Sequence, residues 1–277
     1  MANDKPEFSV CIGVYFKDNP TLFIDAVRSV TSKQSLKPSE LIIVADGPLS
    51  QPLEDALSTI RQETPDLKLI RFEQNRGHAA SRQAGLDAAS NDLVAIMDAD
   101  DIASENRFEL QIKAFEKHPE ASVIGGQIKE FIDEISNVIG ERIVPVYDSD
   151  IKRYLKSRSP MNFVTVMYRK SAVQDVGGFI DWYCEEDYYL WVRLAEKGYK
   201  FYNLNDNLVN VRVGEEMYRR RGGWKYFKSE ARLQRYMFKR RIIGLPRYLY
   251  NVAGRFVIQV AMPNSLRGFI FQKLFRK

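Results

Sequence analysis

The stretch IMDADDIA, Ile96 to Ala103, puts three aspartates, Asp98, Asp100 and Asp101, within four residues. Carboxylates this close repel one another. In an extended chain, residues two apart point the same way, so Asp98 and Asp100 are expected to converge on one space. Two converging carboxylates attract a hard divalent cation, which removes the repulsion and takes up phosphate oxygens. The plain alternative is a solvated turn in which Asp101 caps a helix through Glu105. A phosphatase-type Asp-x-Asp nucleophile fits poorly: that aspartate belongs on a first strand and is followed by Thr, and neither holds here. The chain has only two histidines, His78 and His118, so acid–base chemistry must rest mainly on carboxylates.

These aspartates close the fourth of four strand-like runs. Phe8–Phe16, Ser39–Gly47, Leu67–Glu73 and Asp92–Asp100 read as strands. Between them, 19–34, 52–62 and Gly77–Ala89 carry helical spacing, with Pro20 suited to a first turn. Strands alternating with helices imply βαβ units, an α/β fold and a mainly parallel sheet. Ligands of such sheets bind outside the carboxyl ends of the strands. Asp46, Asn75 and the aspartate cluster all fall there. The second half is less regular. Strands are expected over 121–133 and 163–170, with more in YKFYNL and LVNVRV, and a helix over Glu185–Gly198.

Six segments in order resemble a known family. They are SVCIGVYFKDNP, ELIIVADGP, NRGHAASRQAG, MDADD, GGF and EEDYYLWVRLAEKG, spanning roughly Ser9 to Gly198. The chain resembles the family 2 inverting glycosyltransferases of GT-A fold, a Rossmann-like α/β architecture, and within them the bacterial O-antigen and capsule enzymes. The resemblance implies that Asp46 meets the uracil of a UDP-sugar, with Asn75, Arg82 and Asp98 beside the nucleotide. It implies that Asp100, with Asp98, holds Mn²⁺ or Mg²⁺. It also implies that Asp187 is the base that deprotonates the acceptor, with its neighbour Glu186 as the alternative. The competing account of this pair is helix-start acids complementing the macrodipole. Leu190, Trp191 and Leu194 are expected to pack their helix, and His78 to serve packing. Relatives often carry a metal-binding His after the last strand; here Val211-Arg212-Val213-Gly214 has none. Galactose transfer to a lipid-linked (undecaprenyl diphosphate) sugar is the expected reaction. A nucleotidyltransferase would need a Gly-rich basic phosphate loop after the first strand, which YFKDNPTLF lacks. A non-catalytic polysaccharide-assembly or nucleic-acid-binding protein of the same fold is the other alternative.

The chain has 277 residues, 45% of them hydrophobic, enough for one large domain with an appendage. Its net charge of +5 conceals an asymmetry. Residues 217–277 hold 16 Lys and Arg and one acid, Glu230, leaving 25 basic and 35 acidic residues elsewhere. The expected division is therefore a catalytic domain over 1–215 and a basic, amphipathic helical tail over 216–277. One helix of that tail should present Leu249, Val252, Ala253, Phe256 and Val260 on one face. Another should present Leu266, Phe269, Ile270 and Leu274. Basic aromatic-rich helices suit an anionic membrane surface, and no recognisable nucleic-acid module surrounds them. With two cysteines and no signal-peptide pattern at the start, the expectation is a cytoplasmic enzyme on the inner face of the membrane.

Overall fold

The computed structural model describes residues 6–214 and 222–262. The first half follows the alternation read from the sequence. Strands β1 (Ser9–Val14), β2 (Glu40–Ala45), β3 (Lys68–Arg71) and β4 (Leu93–Met97) alternate with helices α1 (Pro20–Val30), α2 (Gln51–Glu63) and α3 (His78–Ala88). Asn19 caps α1 by accepting from the Thr21 and Leu22 amides at 2.9 and 3.2 Å, with Pro20 at the first helical position.

Beyond β4 come β5 (Ile102–Ala103), α4 (Arg107–Lys117), β6 (Ala121–Phe131), β7 (Val138–Arg142) and α5 (Asp148–Leu155). They are followed by β8 (Met167–Arg169), α6 (Lys170–Asp175), α7 (Glu186–Glu196) and β9 (Lys200–Arg212). The expected strand over 163–170 is cut down to β8, because Phe163–Thr165 forms a 3₁₀ turn. YKFYNL and LVNVRV form one continuous strand rather than two.

All strands join one sheet in the order β3-β2-β1-β4-β8-β6-β9-β5, with β7 added on β6. β1 pairs parallel with both β2 and β4, and β6 with β9, while β8 runs antiparallel between β4 and β6. The chain moves outward from β1 through β2 to β3, then α3 returns it to β4 on the other side of β1. The carboxyl ends of β1 and β4 therefore flank a topological switch point, where such sheets bind ligands. One core layer packs Phe23, Leu53 and Phe108 on one face of the sheet, and a second packs Leu86, Trp191 and Leu194 on the other. The packing expected of Leu190, Trp191 and Leu194 is as found.

Two further helices follow, α8 (Trp224–Lys239) and α9 (Leu245–Phe256), and a π-type turn over Val257–Ala261. Helix α8 buries Leu233 and Met237 in the second core layer. The Trp182 indole donates to the Ser229 carbonyl at 3.2 Å, and the Ser229 hydroxyl to the Tyr183 carbonyl at 2.6 Å. Helix α9 differs: its buried residue is Asn251, while Leu249 is 56% and Phe256 42% exposed. The second expected apolar face, at Leu266, Phe269, Ile270 and Leu274, lies outside the described residues. Among the described residues, no helix is long and apolar enough to cross a membrane.

Candidate active site

Asp46 follows β2 and is buried. Its carboxylate accepts from the Asn75 side-chain amide at 3.0 Å, the Arg76 N–H at 2.6 Å and the Gly77 N–H at 2.9 Å. Asp46 thus fixes the loop between β3 and α3, the NRG segment. Gly47 permits this approach. Its φ is +95°, and a Cβ built there would stand 2.7 Å from the Asn75 nitrogen. Asn75 itself is exposed, as is His78 at the first turn of α3. His78 therefore does not serve packing: a helix start at the sheet's carboxyl end faces the solvent side of the switch point.

The aspartate cluster departs from expectation in its geometry. Strand β4 ends at Met97, and Asp98–Asp100 form a turn, so strand alternation does not set their directions. Asp98 is half-buried, Asp100 exposed and Asp101 buried. Nor does Asp101 cap a helix, because α4 begins only at Arg107. Its carboxylate instead accepts the Arg212 N–H at 2.8 Å, tying the end of β9 to the turn. In the place where relatives often carry a metal-binding His, the Arg212 side chain donates to the Asp133 carbonyl and lies over the Phe131 ring.

Two residues that the sequence reading passed over complete this region. Asp18, in the loop after β1, accepts the Tyr15 N–H at 2.9 Å. Burial, with added repulsion from Asp100 and Asp98, pushes its carboxyl up to about 7. Arg107 lies fully buried beneath the turn and donates to the Ile96 carbonyl at 2.8 Å. Burial lowers its guanidinium to about 9, against the pull of Asp98 and Asp101. Burial also holds Asp101 well above the carboxylate range, reinforced by Asp100 and Asp98. Crowded negative charge and an all-oxygen donor set suit a hard divalent cation. Among the described residues, no group of three or more His, Cys, Asp or Glu side chains is arranged to hold one. A cation at Asp98 and Asp100 would therefore share its coordination with ligand oxygens.

The acidic pair opens α7, and the structure separates its two members. Glu186 is ion-paired with Arg82 of α3 at 2.6 Å, with both side chains mostly buried. Arg82 also stacks on Phe163, 3.8 Å from the ring centroid. Asp187 makes a short-range contact with its own helix, accepting the Tyr188 N–H at 2.7 Å, and lines a cavity of about 420 Å³. Burial raises its carboxyl, Glu186 adds to the rise, and Arg82 opposes it. A carboxylate with raised basicity beside a cavity is suited to receive a proton. Glu186, held by a guanidinium, positions Arg82 rather than opening to the cavity. The GGF segment connects the two helices. The Phe179 N–H donates to Gln83 of α3 at 2.7 Å, and Arg193 of α7 donates to the Val176 and Gly178 carbonyls at 2.5 and 2.8 Å.

The structure thus offers a crowded acidic turn at the switch point and, across α3, a carboxylate beside a cavity. The glycosyl transferase family 2 model matches residues 9–177, and the chain belongs to that family; it is a glycosyltransferase. A protein of Haemophilus influenzae described as an uncharacterized glycosyltransferase is 37% identical over 98% of this chain and 100% of its own length. The UDP-Gal:alpha-D-GlcNAc-diphosphoundecaprenol beta-1,3-galactosyltransferase of Escherichia coli is 32% identical over 100% of this chain and 99% of its own. Among solved structures, the mannosyltransferase of Pyrobaculum calidifontis in complex with GDP-Man and Mn²⁺ superposes with a TM-score of 0.64 at 15% identity. It covers 96% of this chain and 72% of that one. The fold is GT-A, as expected. Membership of the family sets aside the nucleotidyltransferase and non-catalytic alternatives.

Proposed function

We propose that the enzyme transfers a hexose, with galactose the leading candidate, from a UDP-sugar to a lipid-linked sugar diphosphate, with inversion at the anomeric carbon. The observation that carries this reading is the pairing of Glu186 with Arg82, which leaves Asp187 as the member of the acidic pair that lines the cavity, beside the buried and likewise raised Glu185. The full-length similarity to the Escherichia coli galactosyltransferase supports the donor and acceptor classes.

In the proposed reaction, Asp187 takes the proton of the acceptor hydroxyl as its oxygen attacks the anomeric carbon. The bond from that carbon to the diphosphate breaks, and UDP departs from the opposite face. Asp46 and Asn75 orient the nucleotide at the end of β2, and Arg82 holds Glu186 away from the acceptor. Asp98 and Asp100 would hold Mn²⁺ or Mg²⁺, which when bound neutralises charge on the leaving diphosphate. Buried Arg107 steadies the turn from below.

We further propose that 216–277 act as a membrane-associating tail on a catalytic domain of 1–215, at the cytoplasmic face. The exposed Leu245, Leu249, Phe256 and Val257 support this, because an apolar helix face left off the protein's own core suits the interfacial plane of a bilayer. A donor screen with a short-chain lipid-diphosphate GlcNAc or GalNAc acceptor, read by UDP release and product mass, tests the reading. Transfer from UDP-galactose is expected. Transfer only from non-uridine donors, or only to acceptors lacking a diphosphate, would overturn it.

A further inference from the structure

The cavity beside Asp187 is closed by the helices that follow β9. Its walls come from Arg142 of β7, the loop 157–159, the start of α7, and residues of α8, α9 and the π-type turn. The family match ends at residue 177, so most of this wall lies outside the matched segment. The lining includes none of Asp46, Asn75, Asp98 or Asp100. Asp187 stands in the wall of this cavity. Its volume of about 420 Å³ lies within the roughly 300–1,000 Å³ of small-ligand pockets.

The wall has an unusual composition. Glu230 is the single acid among residues 217–277, against 16 basic residues. It does not lie on the basic surface but in this wall, largely buried and ion-paired with Arg255 at 3.1 Å. The Gln259 amide donates to the same carboxylate. Asn251 donates its amide hydrogens to the Lys156 carbonyl and to Gln234 Oε1, both at 2.8 Å, which directs its carbonyl oxygen as an acceptor. Tyr226 and Tyr250 add two phenol rings, and Tyr250 is 72% exposed. Cys184, at the wall just before the acidic pair, has a φ of 57°. A non-glycine residue held there is strained, and such strain concentrates at functional sites. Carboxylate and amide acceptors beside flat aromatic faces match a pyranose, which has hydroxyl donors at its rim and an apolar C–H face.

We propose that this cavity binds the terminal sugar of the acceptor, with Glu230, Asn251 and Gln259 reading its hydroxyls and Tyr226 and Tyr250 flanking its ring. The assignment rests on the lipid-linked acceptor class proposed above, and makes the C-terminal helices the acceptor-specificity element. It also places the sugar's lipid on the side of α9 that exposes Leu249 and Phe256.

The test uses the full-length enzyme with UDP, Mn²⁺ and a panel of short-chain alkyl diphosphate sugars. Cys11 is buried and Cys184 exposed, so iodoacetamide labelling, located by peptide mass, reads the cavity directly. An accepted sugar diphosphate should slow Cys184 labelling, and UDP alone should not. Glu230→Gln and Tyr250→Ala should each raise the acceptor KM about tenfold, the scale of one lost charge-assisted contact, while UDP affinity stays the same. Tyr250 is exposed, so its variant is expected to fold even if the Glu230 variant does not. Turnover with Cys184 unprotected and acceptor KM unchanged in the Tyr250 variant overturns the cavity assignment alone. Absence of turnover with every diphosphate sugar overturns the acceptor class. Cys184 protection by the same compounds then still decides the cavity: protection upholds a sugar site, and its absence removes it.

Discussion

The molecule carries two acidic clusters, and it balances their charge differently. At the ends of β1 and β4, Asp18 and Asp101 each feel the negative charge of Asp98 and Asp100. Burial and mutual repulsion hold Asp18 near 7 and Asp101 well above the usual carboxylate range, and what Arg107 and Arg212 contribute does not offset this. Around the cavity at the start of α7, two of the carboxylates have a guanidinium each: Arg82 for Glu186 of α7 and Arg255 for Glu230 of α8. In the proposed reading the first cluster is completed by charge from outside, from a cation with a diphosphate. The second is largely balanced within the chain by those guanidinium groups, and in the proposed reading it meets neutral hydroxyl groups with Asp187 as the proton acceptor. Both have raised carboxyls, so the shift alone does not distinguish them; the partners do.

That contrast can be broken most directly at Asp100. Asp100→Ala is expected to abolish metal-dependent UDP binding and transfer, measured by calorimetry with and without Mn²⁺. Near-normal activity in this variant would mean that the first cluster does not hold a cation. Next in size, Asp187→Asn should keep UDP binding yet lower kcat by about a hundredfold or more, the scale of general-base catalysis. If Glu186→Gln shows that loss instead, the ion pair with Arg82 has been misread as structural.

Removal of residues from 217 onward should release the enzyme from anionic vesicles. For the intact chain, sedimentation should show partial release by high salt and fuller release by detergent. Basic residues that reach the surface contribute about 1 kcal/mol each, and the exposed apolar side chains of α9 add a term insensitive to salt. Full-length protein that never binds vesicles at low salt would favour a tail serving the cavity alone.

The smallest effect is a pH shift. Because burial and Glu186 raise Asp187, activity should fall with acid at a pH above the ordinary aspartate value of about 3.9. Glu186→Gln removes a like charge and leaves Arg82 nearer to Asp187 alone, so its acid limb should move to lower pH in the kcat/KM profile. An unmoved limb would assign the titration to another group.

Much of the first half was legible because its two periods are clean. β1 to β4 alternate with α1 to α3, and apolar positions follow each period closely. Helix α4 entered only through the capping alternative at Asp101, because its buried face includes Arg107 and Gln111, which interrupt the apolar stripe. β9 read as two strands because Asn205-Asp206-Asn207 resembles a turn. In the sheet those residues are absorbed where the β6–β9 register shifts. The site showed the same division. Asp46, Asp98, Asp100, Glu186 and Asp187 sit in local motifs, whereas Asp18 is a single acid in a loop, and its neighbours in space are some eighty residues away in sequence. The cavity wall draws on residues from 142 to 259, a set that no short pattern joins.

Gly47 has a bearing on how this enzyme can diversify. Any substitution there adds a Cβ at a φ of +95° and drives it against the Asn75 backbone. The left-handed geometry alone costs an L-residue about 1–2 kcal/mol, and the collision displaces the loop that Asp46 anchors. In the proposed reading of this loop as the nucleotide's seat, point mutation at Gly47 cannot retune nucleotide preference by small steps, since even alanine disturbs the whole loop. Acceptor preference is under no such constraint, because the proposed sugar pocket is walled largely by side chains of α8 and α9. Lineages with this architecture should therefore explore new acceptors while remaining fixed in nucleotide.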